Sequence, residues 1–452
     1  QPGPIMMQAG ALAGLDDAHG GRELTLEPYV FSAGSGARTP LAGGGYSGWN
    51  DLTAREAGVD VEAALTRSLV LDATFNPDFS QIEADALQLD VNRRFPLHFR
   101  EKRSFFLEGA DHFESIMDLV ETRRMADPRW GAKVTGRVGA WNSGALLVRD
   151  AGGATLEGSG FTTGDDTRLS GPGWYALGRA QLPFGRGANV GVLAGAHTQD
   201  DPNRPRPLFA GSSVDAGTFN GFGGFDSQLR LSEHWTTEGQ LVGSMARFDS
   251  TGAAQDHTRF NDWMGVGRLR YRDHARELHL GAHHVGEKFR DELGSQDFAG
   301  VTYRRLGGWW DLFPKTGLLQ RMAPLFDVLL VHDHTGRLEL SNVESSMDFE
   351  FRRSAFANAG YVHVDENYLG HTYPQDRARV FAQWTAWRPL AVDLDAWAGD
   401  AIEYDAAALA WGESYTMNVT AHPDPRVTTT ANVVRYRLAR APRGGDYLAL
   451  WL

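Results

Sequence analysis

Along residues 409–420 the side chains alternate in character. Leu409, Trp411, Glu413, Tyr415, Met417 and Val419 fall on one parity, and Ala410, Gly412, Ser414, Thr416, Asn418 and Thr420 on the other. Successive side chains of an extended chain point to opposite faces. One face is therefore apolar and aromatic apart from Glu413, and the other is small and polar. Met347, Phe349 and Phe351 oppose Asp348, Glu350 and Arg352 in the same way. Val392, Leu394, Ala396 and Ala398 oppose Asp393, Asp395 and Trp397, and Leu278, Leu280 and Ala282 oppose Glu277, His279 and His283. A period of two recurring over most of the chain predicts strands. Many of these segments run roughly 12–15 residues, longer than soluble strands usually are. A bilayer-crossing strand needs only about 9–11.

The expected connections alternate in length. Short ones fall near residues 66–67, 140–143, 183–187, 232–233, 273–274, 388–390 and 423–425. Long polar ones span 150–172, 199–218, 249–257, 291–299, 367–375 and 439–446. Short turns at one end and long loops at the other are the pattern of an outer-membrane barrel. The reading is an all-β, antiparallel transmembrane outer-membrane β-barrel, as a single domain over residues 1–452. Roughly 17 strands lie between Trp130 and the C-terminus, and residues 23–31, 59–65, 69–75, 82–91 and 117–124 offer three to five more; an even total of roughly 18–22 follows. Residues 95–125 have neither clean alternation nor a long helical face, and are expected to form an irregular segment that plugs or narrows the lumen.

Composition agrees with this class. No stretch approaches the eighteen apolar residues of a membrane helix, and the 49 aromatics and 42% hydrophobic content exclude a disordered chain. A net charge of −13 argues against a nucleic-acid partner. With no cysteine, disulfides, thiol catalysis and cysteine metal sites are excluded. The 53 glycines, spread among aromatics, suit a large twisted sheet. Gln1-Pro2-Gly3-Pro4 does not open a secretory signal, so the mature protein is expected to start here or to have lost an upstream part.

Chemical motifs are sparse. No Walker A loop, H-E-x-x-H, G-x-S-x-G elbow or EF-hand loop occurs, and no catalytic residue, cofactor or metal is expected. His332 and His334 share a parity but make at most half a metal site. Asp72, Asn76, Asp78, Glu83 and Asp85 form an acidic patch with oxygen ligands suited to Ca²⁺, but without an ordered ligand spacing. The better feature is a charged ladder. Arg268, Arg270 and Arg272 share one face, and after a tight turn Glu277, His279, His283 and Glu287 fall on the polar face of the next strand. Facing a lumen, such a ladder either sets a transverse field that filters charged solutes or closes the interior by ordinary ion pairing.

Residues 71–109 read LDATFNPDFSQIEADALQLDVNRRFPLHFREKRSFFLEG. This stretch resembles a bacterial family of uncharacterised outer-membrane barrels, common in Bacteroidetes and some Proteobacteria, which usually follow an N-terminal domain resembling family-9 carbohydrate-binding modules. The resembling positions are Asn76, Pro77, Asp78, Phe79, Gln81, Glu83, Ala84 and Asp85, then Glu101, Lys102, Arg103, Phe105, Phe106, Glu108 and Gly109. Arg123-Arg124, residues 133–137 and residues 27–30 fit the same pattern. The resemblance implies the outer membrane of a Gram-negative bacterium and a barrel fold, and no known reaction. The carbohydrate-binding-like domain is absent from these residues, which suggests a processed or truncated chain or a member without it.

The expected function is thus a non-enzymatic channel or transport-type pore, its lumen narrowed by an internal segment or a partner. Outer-membrane lipid and an envelope protein or upstream periplasmic domain are the expected partners. Two other readings stay open: a glycan-binding surface protein, and a structural barrel serving as scaffold in a larger envelope assembly.

Overall fold

The computed structural model of the chain describes residues 24–37, 50–77, 92, 94, 100–152, 155–156, 168–169, 172–185, 187–199, 216–249, 257–294, 299–352, 354–387, 389–424 and 426–451. Strands β1 (Leu24–Ala37), β2 (Asn50–Ala64) and β3 (Leu69–Phe75) come first, and β4 (Pro128–Val138) and β5 (Trp141–Asp150) follow after a long irregular segment. A small separate hairpin is made by β6 (Thr155–Leu156) and β7 (Arg168–Leu169). Next come β8 (Gly173–Phe184), β9 (Ala188–Gln199), β10 (Ala216–Arg230), β11 (Trp235–Asp249), β12 (His257–Arg272) and β13 (Arg276–Val285). Then follow β14 (Val301–Trp310), β15 (Leu319–Asp333), β16 (Leu338–Phe351), β17 (Ala355–Tyr368) and β18 (His371–Trp387). The last are β19 (Leu390–Glu403), β20 (Ala408–Asp424), β21 (Val427–Ala439) and β22 (Gly445–Trp451).

Twenty of these strands form one antiparallel sheet, within the expected range and even in number. Each pairs with its successor along the chain, β5 with β8 across the small hairpin, so the topology is up-and-down throughout. The 17 sheet strands from β4 onward match the count read from the period of two. Of the earlier segments, three are strands. Residues 117–124 are not: they form an irregular run ending in a 3₁₀ turn, Thr122–Arg124. Residues 82–91 lie outside the described residues.

Register shows which face is which. Directly opposed residues share a face, and Val242, Met264 and Val285 are opposed across β11–β13 with no exposure at all. Residues of the opposite parity on the same strands point the other way: Leu241 is 40% exposed, Trp263 48% and Leu280 56%. The same alternation carries Phe225, Leu306, Val343, Tyr415 and Met417 to the exposed side. The exposed face is thus the apolar one, and the shielded face holds most of the charge, the inverse of a water-soluble sheet. This is the sidedness of a membrane-spanning β-barrel, whose outer wall meets hydrocarbon. Tryptophans mark the ends of that wall: Trp141, Trp235 and Trp310 lie near the short turns, and Trp174, Trp263 and Trp411 toward the other end. Trp309 and Trp397 instead share the inner face.

The loops differ from expectation in one half of the sheet. Through β13 the long connections fall at one end, and short turns such as 139–140 and 273–275 at the other. From β15 on, both ends are short. Residues 367–375, expected as a long loop, are paired strand joined by the turn Leu369–Gly370. Leu369 and Gly370 both have positive φ, 50° and 82°, the requirement of a tight hairpin turn. Sequence periodicity missed this because the strand ends carry polar residues on both faces (Asp365, Glu366 and Asn367), as suits strand beyond the hydrocarbon. The connection at 440–444 is likewise shorter than expected.

Replacing Leu241 with Arg at the middle of β11 should destabilise the barrel by about 2–4 kcal/mol, as charged residues do on a lipid-facing wall. Reversible urea unfolding in lipid vesicles measures it. A Leu241→Arg barrel as stable as the parent would refute the assignment of this face to lipid.

Candidate functional site

The shielded face is occupied. Residues 100–125 leave β3 as an irregular segment containing a four-residue helix, α1 (Ser104–Leu107), and 3₁₀ turns at Ala110–Phe113 and Thr122–Arg124. Phe105, Phe106, Leu119 and Met125 bury themselves among Leu146, Tyr175, Leu177, Leu193 and Phe222 from β5, β8, β9 and β10. The polar contacts reach much further round. Met117 N–H donates to Gln240 Oε1 of β11 at 2.8 Å, and Tyr175 Oη of β8 donates to Arg124 O at 3.1 Å. Asn92 Nδ2 donates to Ile402 O at 2.7 Å and to Tyr436 Oη at 3.0 Å, while Arg94 Nη1 bonds Glu366 Oε1 at 2.7 Å. One stretch of chain thus touches β8 and β11 near its end and β17, β19 and β21 near its start.

The anchor of this stretch is built from Glu101 and Arg103. Arg103 Nε and Nη2 donate to the two oxygens of Glu101 at 2.8 and 2.7 Å, a two-pronged geometry. The same guanidinium donates to Met125 O and Thr122 O, both at 2.6 Å, tying together the two ends of the segment. Its face lies 4.2 Å from the Phe106 ring centroid. Burial opposes ionisation of Glu101, but the Arg103 hydrogen bonds and charge outweigh it and hold the carboxyl at about 2. Lys102 contributes its backbone N–H to Glu101 Oε1. Beside this, Lys133 of β4 donates from Nζ to Phe105 O at 2.7 Å and to Glu108 O, and lies 3.4 Å from Asp72 Oδ2. Gly109 sits at φ 61°, and a Cβ there would lie 2.8 Å from Thr135 Oγ1. Gly131 leaves the space that Phe105 fills, since a Cβ would come within 2.7 Å of its ring. Asn76 starts the excursion from β3 at φ 49°, its carbonyl accepting from Tyr29 Oη and its Nδ2 donating to Ala57 O. Pro77 is buried there, and Asp78, Phe79, Gln81, Glu83, Ala84 and Asp85 lie outside the described residues.

A second segment, the loop 286–294, folds onto the same face. Phe289 and Leu293 are buried, and Leu293 O accepts from Glu121 N–H at 2.6 Å. Glu292 Oε2 meets His197 Nδ1 of β9 at 2.7 Å, and Glu292 N–H donates to Asn220 Oδ1 of β10. His197 is stacked on Tyr175 at 4.2 Å. No pattern in the sequence marked Glu292 or His197: they come together only through a 95-residue separation. Burial pushes the neighbouring Asp291 up to about 7, although Leu293 and Gly294 N–H groups donate to it.

The charged ladder sits on the shielded face, beyond these two segments. Arg270 is directly opposite His279, and Arg272 opposite Glu277. The guanidiniums are about half exposed, with Arg268 at 3.6 Å from Glu238, Arg270 at 3.7 Å and Arg272 at 3.9 Å from Glu277. His279 Nε2 bonds Asp327 Oδ2 of β15 at 3.2 Å, and Arg305 of β14 bonds the same carboxylate at 2.8 Å. Asp327 and Arg305 extend the ladder and were not anticipated, because cross-strand register is invisible in single-strand periodicity. His283 stacks on Tyr303 at 4.9 Å. Around these residues lies a cavity of about 550 Å³. Glu287 is not part of the ladder: β13 ends at Val285, and Glu287 reaches from the following loop to His334 at 3.1 Å. His332 and His334 accordingly do not converge; His332 contacts Arg304 on the outer face. The acidic patch is also rearranged, with Asp72 joined by Glu62 and Glu108 rather than by Asn76.

Comparison with known families bears on the first part of the chain. Residues 24–133 match the sequence model of a domain of unknown function, DUF5916. That span contains the anchor, Asn76 and the start of the excursion. No curated protein matches the chain. Among solved structures it is similar to Acinetobacter baumannii OccAB3, with a TM-score of 0.40 and 11% identity over 71% of this chain and 92% of that one. It is also similar to Pseudomonas aeruginosa OccK10 (OpdN), with a TM-score of 0.39 and 11% identity over 72% and 91%. Both likenesses are distant.

Removing the Arg103 guanidinium strands a buried carboxylate, which typically costs about 3–5 kcal/mol. Arg103→Ala should therefore free the internal segment, seen as new protease cleavage within residues 100–125 while the strands stay protected. Unchanged resistance would refute the anchor. Asp291 imposes a pH dependence of opposite sense to an ordinary carboxylate. Its folded pKa of about 7 lies above the unfolded value of 3.8, so the folded state holds a proton that the unfolded state has lost. Stability then falls as pH rises between those values and levels off above about 7. Asp291→Asn should flatten that slope in thermal unfolding measured from pH 4 to 8.

Proposed function

We propose that this chain is an outer-membrane channel of a Gram-negative bacterium, with a lumen narrowed by residues 100–125 and the loop 286–294. The observation that carries this reading is the inverted sidedness of the sheet, apolar and exposed outside, charged and shielded inside. The segment's contacts with strands on both sides of the sheet order support its position within the lumen. The long loops face outward and the short turns face the periplasm, as in barrels of this type.

In this reading the open part of the lumen runs past a patch of wall on which Arg268, Arg270 and Arg305 alternate with Glu277 and Asp327 on neighbouring strands. Fixed charges of both signs a few ångströms apart create a transverse field, which sorts solutes by charge and dipole. The work is passage rather than chemistry. The extent of packing around Phe105, Leu119 and Leu293 favours one further reading, a barrel closed at rest that serves as scaffold for an envelope partner.

Single-channel recording in planar bilayers tests both. The channel reading expects steady conductance, and an Arg268→Glu, Arg270→Glu double variant should shift reversal potential toward cation selectivity. A folded, inserted barrel that never conducts would overturn the channel reading in favour of the scaffold. Conductance with unaltered selectivity in the variant would remove the ladder from the conducting path.

A further inference from the structure

The lipid-facing wall carries a polar island that the channel reading does not use. It lies where β13 ends, β14 begins and β15 ends, at the long-loop end of the barrel. Three neighbouring strands contribute. His284 is directly opposite Thr302, and Thr302 is directly opposite His332, so the three side chains form one row on the outer face. His284 Nδ1 lies 2.9 Å from Thr302 Oγ1. Arg304, two residues further down β14, places Nη1 at 3.1 Å from His332 Nδ1. Trp263 of β12 closes the row, its ring 4.7 Å from that of His284.

The surroundings are apolar. Leu280 and Leu306 are 56% and 47% exposed on the same face, and Leu330 is directly opposite Arg304. Among the described side chains of β13, β14 and β15, every carboxylate of the membrane-facing stretches lies on the inner parity, as Glu277 and Asp327 do. Glu287, in the loop above, is taken by His334. An arginine on a lipid-facing wall is destabilising unless it reaches the interface or meets a counter-charge. Its partner here is a histidine, which supplies no negative charge.

We propose that His284, Thr302, Arg304 and His332 bind the phosphate of an anionic lipid in the outer leaflet. This rests on the outer-membrane reading of the fold. The donor pattern suits a phosphate. Because His332 Nδ1 accepts from Arg304, Nε2 is the ring nitrogen left to donate to a ligand. Arg304 keeps further N–H groups and the only permanent charge of the cluster. Charge-assisted N–H to phosphate-oxygen bonds are the strong ones, and the position at the end of the apolar wall is headgroup height. Trp263 beside them is the kind of ring that settles at the membrane–water boundary. The ligand is thus a phosphorylated glycolipid of the outer leaflet, held by headgroup chemistry with its acyl chains along Leu280 and Leu306.

The test uses the full chain in detergent micelles, titrated with bisphosphoryl lipid A and followed by native mass spectrometry. Bisphosphoryl lipid A should bind, and its fully dephosphorylated form should bind much more weakly. Arg304→Gln should weaken binding roughly fivefold, as the loss of one cation at an anionic lipid does. Arg276→Gln, on the same face at the other end, should leave it unchanged. Chelation by EDTA should have no effect, because no cation bridge is involved. Equal binding of the dephosphorylated lipid, or unaltered binding by a folded Arg304→Gln barrel, would overturn the proposal. Displacement of the lipid by millimolar inorganic phosphate would also overturn it, in favour of a free-anion site. Heat-modifiable migration on gels and insertion into vesicles are checked first. A chain that fails to insert refutes the membrane reading itself, whereas an inserted barrel without phosphate preference refutes only the lipid site.

Discussion

A peptide group that meets hydrocarbon has to find its hydrogen-bond partner within the protein, since no water is there to supply one. In this chain that demand is met by strand-to-strand ladders running without interruption from β1 to β22. Everything else follows from the ladder. Antiparallel neighbours need only tight turns, so the topology is a meander. Because the side-chain period is two, each residue is committed to one wall by its register. A slip by one position would carry Lys133, Asp226 and Arg305 into lipid and Leu147, Phe225 and Leu306 into the interior. Register is therefore held both by the apolar outside and by ion pairs inside. Arg179 and Asp226, joined by two hydrogen bonds at 2.7 and 2.9 Å in a fully shielded setting, are one such clamp.

The interior makes a different use of the same wall. Small residues on the inner parity, Gly131 and Gly144 among them, leave room where Phe105 and Phe113 enter. The anchor at Glu101 and Arg103 then folds the segment back on itself, because one guanidinium satisfies a carboxylate and two carbonyls together. The loop 286–294 is held by a comparable device, with the Glu292 side chain on β9 and its backbone on β10. The two internal pieces meet through Glu121 and Leu293, so neither moves without disturbing the other. The ladder residues, by contrast, lie beyond these pieces on the same shielded face and remain about half exposed.

The architecture was legible in the residues alone because period two is a local property. The outward parity of residues 409–419 and of Leu278, Leu280 and Ala282 needed no partner strand to be read, and the strand count followed from it. The irregularity of residues 100–125 was equally legible, as a failure of that period; residues 95–99 of the same expectation lie outside the described residues. Where strands leave the hydrocarbon the period fades, which is why the hairpin at Leu369–Gly370 read as a loop and Glu287 read as strand.

What the amino-acid sequence determined by itself, then, was the wall: which residues are strand, and which parity faces lipid. Only the tertiary structure decided the contents and the neighbourhoods. That Asn92 reaches Ile402, that Glu292 meets His197, that Asp327 joins Arg305 to His279, and that Arg304 meets His332 are all facts of register and curvature. Those depend on the hydrogen-bonded pairing of strands and on long-range contacts between distant parts of the chain. No local pattern encodes them.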